Sequence, residues 1–113
     1  MSRGDHDRCR DILDAIAAVE RYQSKLSGCD GDMAYDAIVR QLEIIGEAAK
    51  ALEPDLKAKA PEIEWHKIAG FRNIAAHEYF RVDREIVEGV IDNYLPPLRV
   101  AVERIAPGPR STR

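Results

Sequence analysis

No apolar run in this sequence approaches the roughly 20 residues that a membrane-crossing helix requires. The opening residues, MSRGDHDRCR, mix charges of both signs and lack the apolar stretch of a secretory signal, so the expected location is the cytoplasm. Cysteine is scarce. Cys9 and Cys29 are the two present, and with nothing pointing to an oxidising compartment both are expected as reduced thiols. His6 and Cys9 stand three apart and can share a helix face, but the chain has no second ligand pair at metal spacing, so neither a metal nor another cofactor is expected. A basic excess is also missing. Lys and Arg number 17 against 20 Asp and Glu, a formal net charge of −3, which argues against a surface coated in phosphate contacts. Any grip on a nucleic acid must be local, in a cleft gathering Lys67, Arg72, Arg81 and Arg84. Period-2 runs of β-branched residues are absent too, which removes the usual signature of strands.

What is present fits one globular domain: 113 residues, 45% hydrophobic and 33% charged. Ile12, Ile16, Val19 and Leu26 fall at helical spacing and predict a first helix over about residues 7–26. Ser27-Gly28-Cys29-Asp30-Gly31 reads as a turn, with an aspartate able to cap the next helix. Tyr35, Ile38, Val39, Leu42, Ile45 and Ala49 then trace the apolar stripe of a second helix over residues 32–52, with Arg40, Glu43, Glu47 and Lys50 mostly off it as solvated or internally paired charges. Gly46 interrupts that helix at a cost of about 1 kcal/mol against alanine, which predicts close approach by a neighbouring backbone.

Pro54 and Pro61 bracket a short linker helix. A third main helix is expected from about Glu64 to Tyr79, with Trp65 and Phe71 as core or interface anchors. Asp83 is a candidate N-cap for the last helix, where Ile86, Val90, Tyr94, Leu98, Val102 and Ile105 repeat at three and four. Pro96 and Pro97 predict a kink or restart within it. The fold expected is all-α, an up-and-down four-helix bundle with an extra linker helix, occupying residues 1–106, with a disordered tail over 107–113. So small a bundle gains apolar burial by pairing with a second copy, so a homodimer is expected.

Three polar side chains stand out in the apolar third segment: Arg72, His77 and Tyr79. On an ideal helix Arg72 and Tyr79 lie about 20° apart, but Arg72 and His77 about 140° apart, so the three cannot share one regular face. Either the helix ends or bends near His77, or two copies of the motif meet across a two-fold axis.

The string Arg72-Asn73-x-x-x-His77-x-Tyr79 resembles the Arg-x4-His-x-Tyr signature of the HepT toxins of the HEPN superfamily. The likeness extends to residues 36–50, to Pro61-Glu62-Ile63-Glu64-Trp65 and to Leu95-Pro96-Pro97-Leu98, roughly Cys9 to Ile105 in all. It implies a HEPN-like bundle and a metal-independent RNA endonuclease, a homodimer with two motifs facing one cleft. It also implies a place as toxin in a type VII-like toxin–antitoxin pair. In such a reaction the ribose 2′-OH attacks the adjacent phosphorus, leaving a cyclic phosphate and a 5′-OH. His77 suits proton transfer, because imidazole populates both protonation states near neutrality. Arg72 suits the phosphate, as a permanent cation with a planar donor fork. By the same resemblance Tyr79 is the position at which a nucleotidyltransferase antitoxin attaches AMP units. Asn73 and Glu78 are read as supporting residues that orient their neighbours.

Plainer roles compete: a dimer salt bridge for Arg72, a structural hydrogen bond for His77 and core packing for Tyr79. At the level of the whole protein, the alternative is a non-catalytic helical partner that docks on a nucleotidyltransferase and aids nucleotide or substrate binding. An interaction-only dimer is disfavoured by the acidic charge and the lack of a recognition helix.

Overall fold

A computed structural model describes residues 4–73 and 84–108. Every secondary-structure element among the described residues is a helix, with no strand. Three long helices carry most of the core: α1 (Asp5–Gln23), α2 (Gly31–Ala51) and α5 (Arg84–Ile105). Between α2 and α5 come two short helices, α3 (Pro54–Lys57) and α4 (Trp65–Ala69), and a 3-10 turn over Gly70–Asn73. None of these helices is long and apolar enough to cross a membrane.

Polar contacts at the helix ends give the topology. Arg8 Nη1 reaches the Ala51 carbonyl at 3.5 Å, and the Glu53 N–H donates to Asp5 Oδ1 at 3.2 Å, so α1 begins where α2 ends and the two run antiparallel. His6 Nδ1 lies 3.0 Å from the Pro107 carbonyl, which puts the start of α1 beside the end of α5. The other end of α5 is tied to the start of α2, because Arg84 pairs with Asp32 at 3.3 Å. Arg99 with Glu20 and Gln23 with Asp92 join the flanks of α1 and α5. In the core, Ile12, Ile16 and Val19 of α1 meet Ile38, Leu42 and Ile45 of α2 and Leu98 and Val102 of α5, each essentially excluded from solvent. At about 25 cal/mol per Å² of apolar surface, such burial is the main force holding the helices together.

The structure departs from the sequence expectations at several points. Asp30 does occupy the N-cap of α2, but its carboxylate makes no capping bond. The third main helix keeps α-geometry through Ala69 and tightens to 3-10 at Gly70, ahead of Arg72. Its expected continuation to Tyr79 lies outside the described residues. In α5 the buried face is Val87, Ile91, Leu95, Leu98, Ala101, Val102 and Ile105, one residue out of step with the expected stripe at its N-terminal end, so Ile86 is 63% exposed. The helix does not restart at the prolines and runs through both. The carbonyls those rings leave without donors belong to Asp92 and Asn93, which are exposed, so water can satisfy them. Beyond α5, the Ala106 N–H still donates to Val102 O at 2.9 Å and Ala106 packs on the core. The expected cap Asp83 lies outside the described residues.

The linker between α2 and α4 is pinned by side chains. Pro54 opens α3 at a position where no N–H is needed. Lys57 Nζ donates to the Ala49 carbonyl at 3.0 Å, near the C-terminus of α2, where a cation also complements the helix dipole. Trp65 Nε1 donates to the carbonyls of both Lys57 and Ala60, each at 3.1 Å. Arg104 reaches in from α5 to the Lys59 carbonyl and to Glu62, at 3.1 and 2.8 Å. These contacts fix where α4 starts, and therefore where the turn bearing Arg72 is delivered.

Candidate active site

Arg72 and Asn73 are the site residues the structure describes; His77, Glu78 and Tyr79, with Arg81, lie outside the described residues. The 3-10 turn turns Phe71 inward and leaves Arg72 and Asn73 exposed, as expected where successive side chains are about 120° apart. Phe71 is 5% exposed and stands edge-on to Tyr94 of α5, ring centres 5.9 Å apart and planes at 80°. That T-shaped contact anchors the turn from one side.

Gly46 of α2 anchors it from the other. A Cβ built on Gly46 would collide with the backbone nitrogen of Arg72, and would stand 3.0 Å from the Ala69 carbonyl oxygen and 3.2 Å from the Arg72 Cα. The close backbone approach expected at this glycine is therefore found, and the arriving segment is the one that carries the motif. The chain leaves α-geometry before Arg72, so an ideal α-helix does not describe the backbone at this residue.

Of the four residues expected to gather in a cationic cleft, Arg81 lies outside the described residues and the other three are described. Lys67 is paired with Glu64 at 3.4 Å. Its ammonium is held above the usual lysine range first by that hydrogen bond, then by the Glu64 charge and the nearby Tyr94 hydroxyl. Arg84 is held by Asp32 and lies over the Tyr35 ring, 5.0 Å from its centre. Arg40 and Glu43 form an internal pair at 3.0 Å. Among the described residues Arg72 has no hydrogen-bond or ion-pair partner, and its planar donor fork is suited to an oxyanion. A groove of about 370 Å³ lined by Tyr22, Lys25, Asp30, Met33, Ala34 and Ala37 lies at the α1–α2 turn and includes no candidate site residue. Among the described residues no group of three His, Cys, Asp or Glu side chains is placed to hold a metal ion.

The Ribonuclease HepT-like family matches residues 12–105. The chain belongs to this family. A HepT-like relative, "Probable ribonuclease HepT" of Thermococcus cleftensis, is 34% identical over 110 residues, covering 93% of this chain and 98% of its own. "Putative RNase MJ1216" of Methanocaldococcus jannaschii is 30% identical over 106 residues, covering 85% of this chain and 88% of its own. "Putative RNase TTE0752" of Caldanaerobacter subterraneus is 42% identical over 69 residues, about 61% of either chain. No solved structure matches. The whole Arg72…His77…Tyr79 string falls inside the HepT-like match.

Two features of this HepT-like site are not legible in the sequence. A glycine in mid-helix signals a close contact at Gly46, but only the packing of the 3-10 turn on α2 identifies the partner. Tyr94 reads as one more member of the α5 apolar stripe, yet its ring braces Phe71 and its hydroxyl faces Lys67.

Proposed function

We propose that this HepT-like chain is a metal-independent RNA endonuclease, the toxin of a toxin–antitoxin pair. The observation that carries the proposal is Arg72: a guanidinium with no partner among the described residues, on a turn fixed from both sides, inside a ribonuclease-family match that spans the full motif. In the proposed reaction His77 takes the proton from the ribose 2′-OH as its oxygen bonds to the adjacent phosphorus. The bond to the 5′-oxygen breaks, a proton is delivered to that oxygen, and a 2′,3′-cyclic phosphate and a 5′-OH result. Arg72 donates to the phosphate oxygens, where negative charge accumulates in the transition state. Asn73 and Glu78 support the arrangement.

The working unit proposed is a homodimer of four-helix HEPN-like bundles, each domain spanning residues 1–106 with 107–113 as a tail, the two motifs sharing one cleft in the cytoplasm. A partner nucleotidyltransferase would silence it by placing AMP on Tyr79. Bulk and negative charge near Arg72 would then exclude an RNA phosphate.

The test is cleavage of RNA by the purified protein in EDTA. His77→Ala should abolish cutting while helical circular dichroism persists. Arg72→Ala should lower kcat by about 10²–10³, the usual loss for one electrostatic donor. A substrate with 2′-deoxyribose at the cut should resist. Full activity in His77→Ala would remove the catalytic assignment. RNA left intact by active-site-intact protein, together with tight binding to a nucleotidyltransferase, would favour a docking partner instead. Light scattering should give about twice the 12.7 kDa chain mass. Co-expression with the antitoxin should add AMP masses on the peptide containing Tyr79.

A further inference from the structure

Two glycines lie inside the long helices beyond their first turn, Gly46 in α2 and Gly89 in α5, and they stand in different surroundings. Around Gly89, beyond its own helix backbone, nothing among the described residues lies within 4 Å of where a Cβ would be. At Gly46 that Cβ would overlap the Arg72 nitrogen and crowd the Arg72 Cα and the Ala69 carbonyl oxygen. The obstructing atoms are backbone, so no rotamer change relieves them. A methyl group there would force the 3-10 turn to move away from α2. Arg72 is exposed, so its side chain is not what fills the space; its main chain is what rests on α2. Phe71 limits how the turn could adapt, because its buried ring is braced by Tyr94. Glycine in mid-helix is disfavoured by propensity, and here the disfavoured residue coincides with the seat of the motif's arginine.

We propose that Gly46 is a positioning residue for Arg72: by lacking a side chain it lets the Arg72 backbone seat directly on α2 and so sets where the guanidinium stands over the scissile phosphate. This rests on the RNA-cleavage reading above. Displacement of even about 1 Å at a transition-state donor costs activity on the order of 10²-fold, because hydrogen-bond strength to a developing charge falls steeply with geometry.

Gly46→Ala and Gly89→Ala are compared by amide NMR and by steady-state kinetics on an RNA that the wild type cleaves. For Gly46→Ala the expected result is unchanged helical content and amide shifts concentrated at residues 69–73. Its kcat should fall at least tenfold while KM changes less than threefold. Gly89→Ala should keep wild-type kinetics. A double-mutant cycle separates positioning from general damage. In an Arg72→Lys background, Gly46→Ala should lower kcat less than twofold further, because the donor it positions is already compromised. Multiplying losses would overturn the proposal, as would an unmoved 69–73 amide set or wild-type kcat in Gly46→Ala. If Gly46→Ala does not fold, it is combined with Gly89→Ala, which adds helix propensity elsewhere. Failure of that protein to fold as well would make Gly46 a requirement of the whole fold and overturn the positioning role. If the wild type cleaves no RNA, the cleavage reading fails by itself, and the 69–73 amides still decide whether Gly46 seats Arg72.

Discussion

Cys9 and Cys29 occupy opposite environments. Cys9 is 1% exposed in the α1 face of the core, and burial, aided by the Asp5 charge, pushes its thiol up to about 11, whereas Cys29 is exposed in the α1–α2 turn. A thiol-specific reagent at pH 8 should therefore titrate one thiol per native chain quickly and the second only in denaturant. The same shift has a stability consequence. The unfolded thiol ionises from its ordinary 9.0, the folded one near 11, so stability contributed by the neutral Cys9 is full below pH 9.0 and is lost as pH rises through that window; Cys9→Ser should flatten this alkaline loss in urea titrations. At this scale the sequence is informative where a residue type is unusual for its setting. Gly46 in an apolar helix announces a close contact, and Arg72 in an apolar segment announces a task. What cannot be read is which partners arrive, because ion pairs such as Arg84 with Asp32 join residues far apart in the chain.

The elements follow apolar periodicity well where they are long. α1 and α2 begin and end within a few residues of the expected limits, and their stripes are the buried faces observed except at Leu26, which falls beyond α1 in the following turn and is half-buried. The short pieces are less legible, since α3, α4 and the 3-10 turn are too brief to show a period and are shaped by tertiary contacts. Trp65 is the clearest instance: its indole N–H serves two carbonyls of the linker at once. Trp65→Phe should cost about 1–2 kcal/mol by chemical denaturation, for two partly buried acceptors left without a donor. A weaker tie is Glu62 with Arg104. The Glu62 carboxyl is held below its ordinary 4.5 first by its own backbone N–H and then by Arg104. A depressed carboxyl contributes stability above 4.5 that disappears as pH falls through the folded value, so loosening of the linker at its contact with α5 should begin only below that pH. Hydrogen exchange of the Ile63 amide, measured down an acid series, checks this.

For the molecule as a whole, fold class and family are legible because helical periodicity and several separated sequence blocks agree. Charge is legible as well. The net charge is −3, and of the four basic residues expected to hold phosphate the described Lys67 and Arg84 are each paired with a carboxylate. RNA affinity should thus depend only shallowly on salt, with a log–log slope no steeper than about −3, since each phosphate neutralised on a single strand contributes about −0.7. Filter binding across an ionic-strength series measures it, and a much steeper slope would mean a basic surface elsewhere. Finally, the chain has a single tryptophan, and it stands at the first residue of α4, hydrogen-bonded to the linker and immediately upstream of the turn that presents Arg72. Its ultraviolet emission therefore comes from one known spot, which makes the unlabelled protein its own optical gauge of whether that corner tightens when RNA or the proposed antitoxin engages.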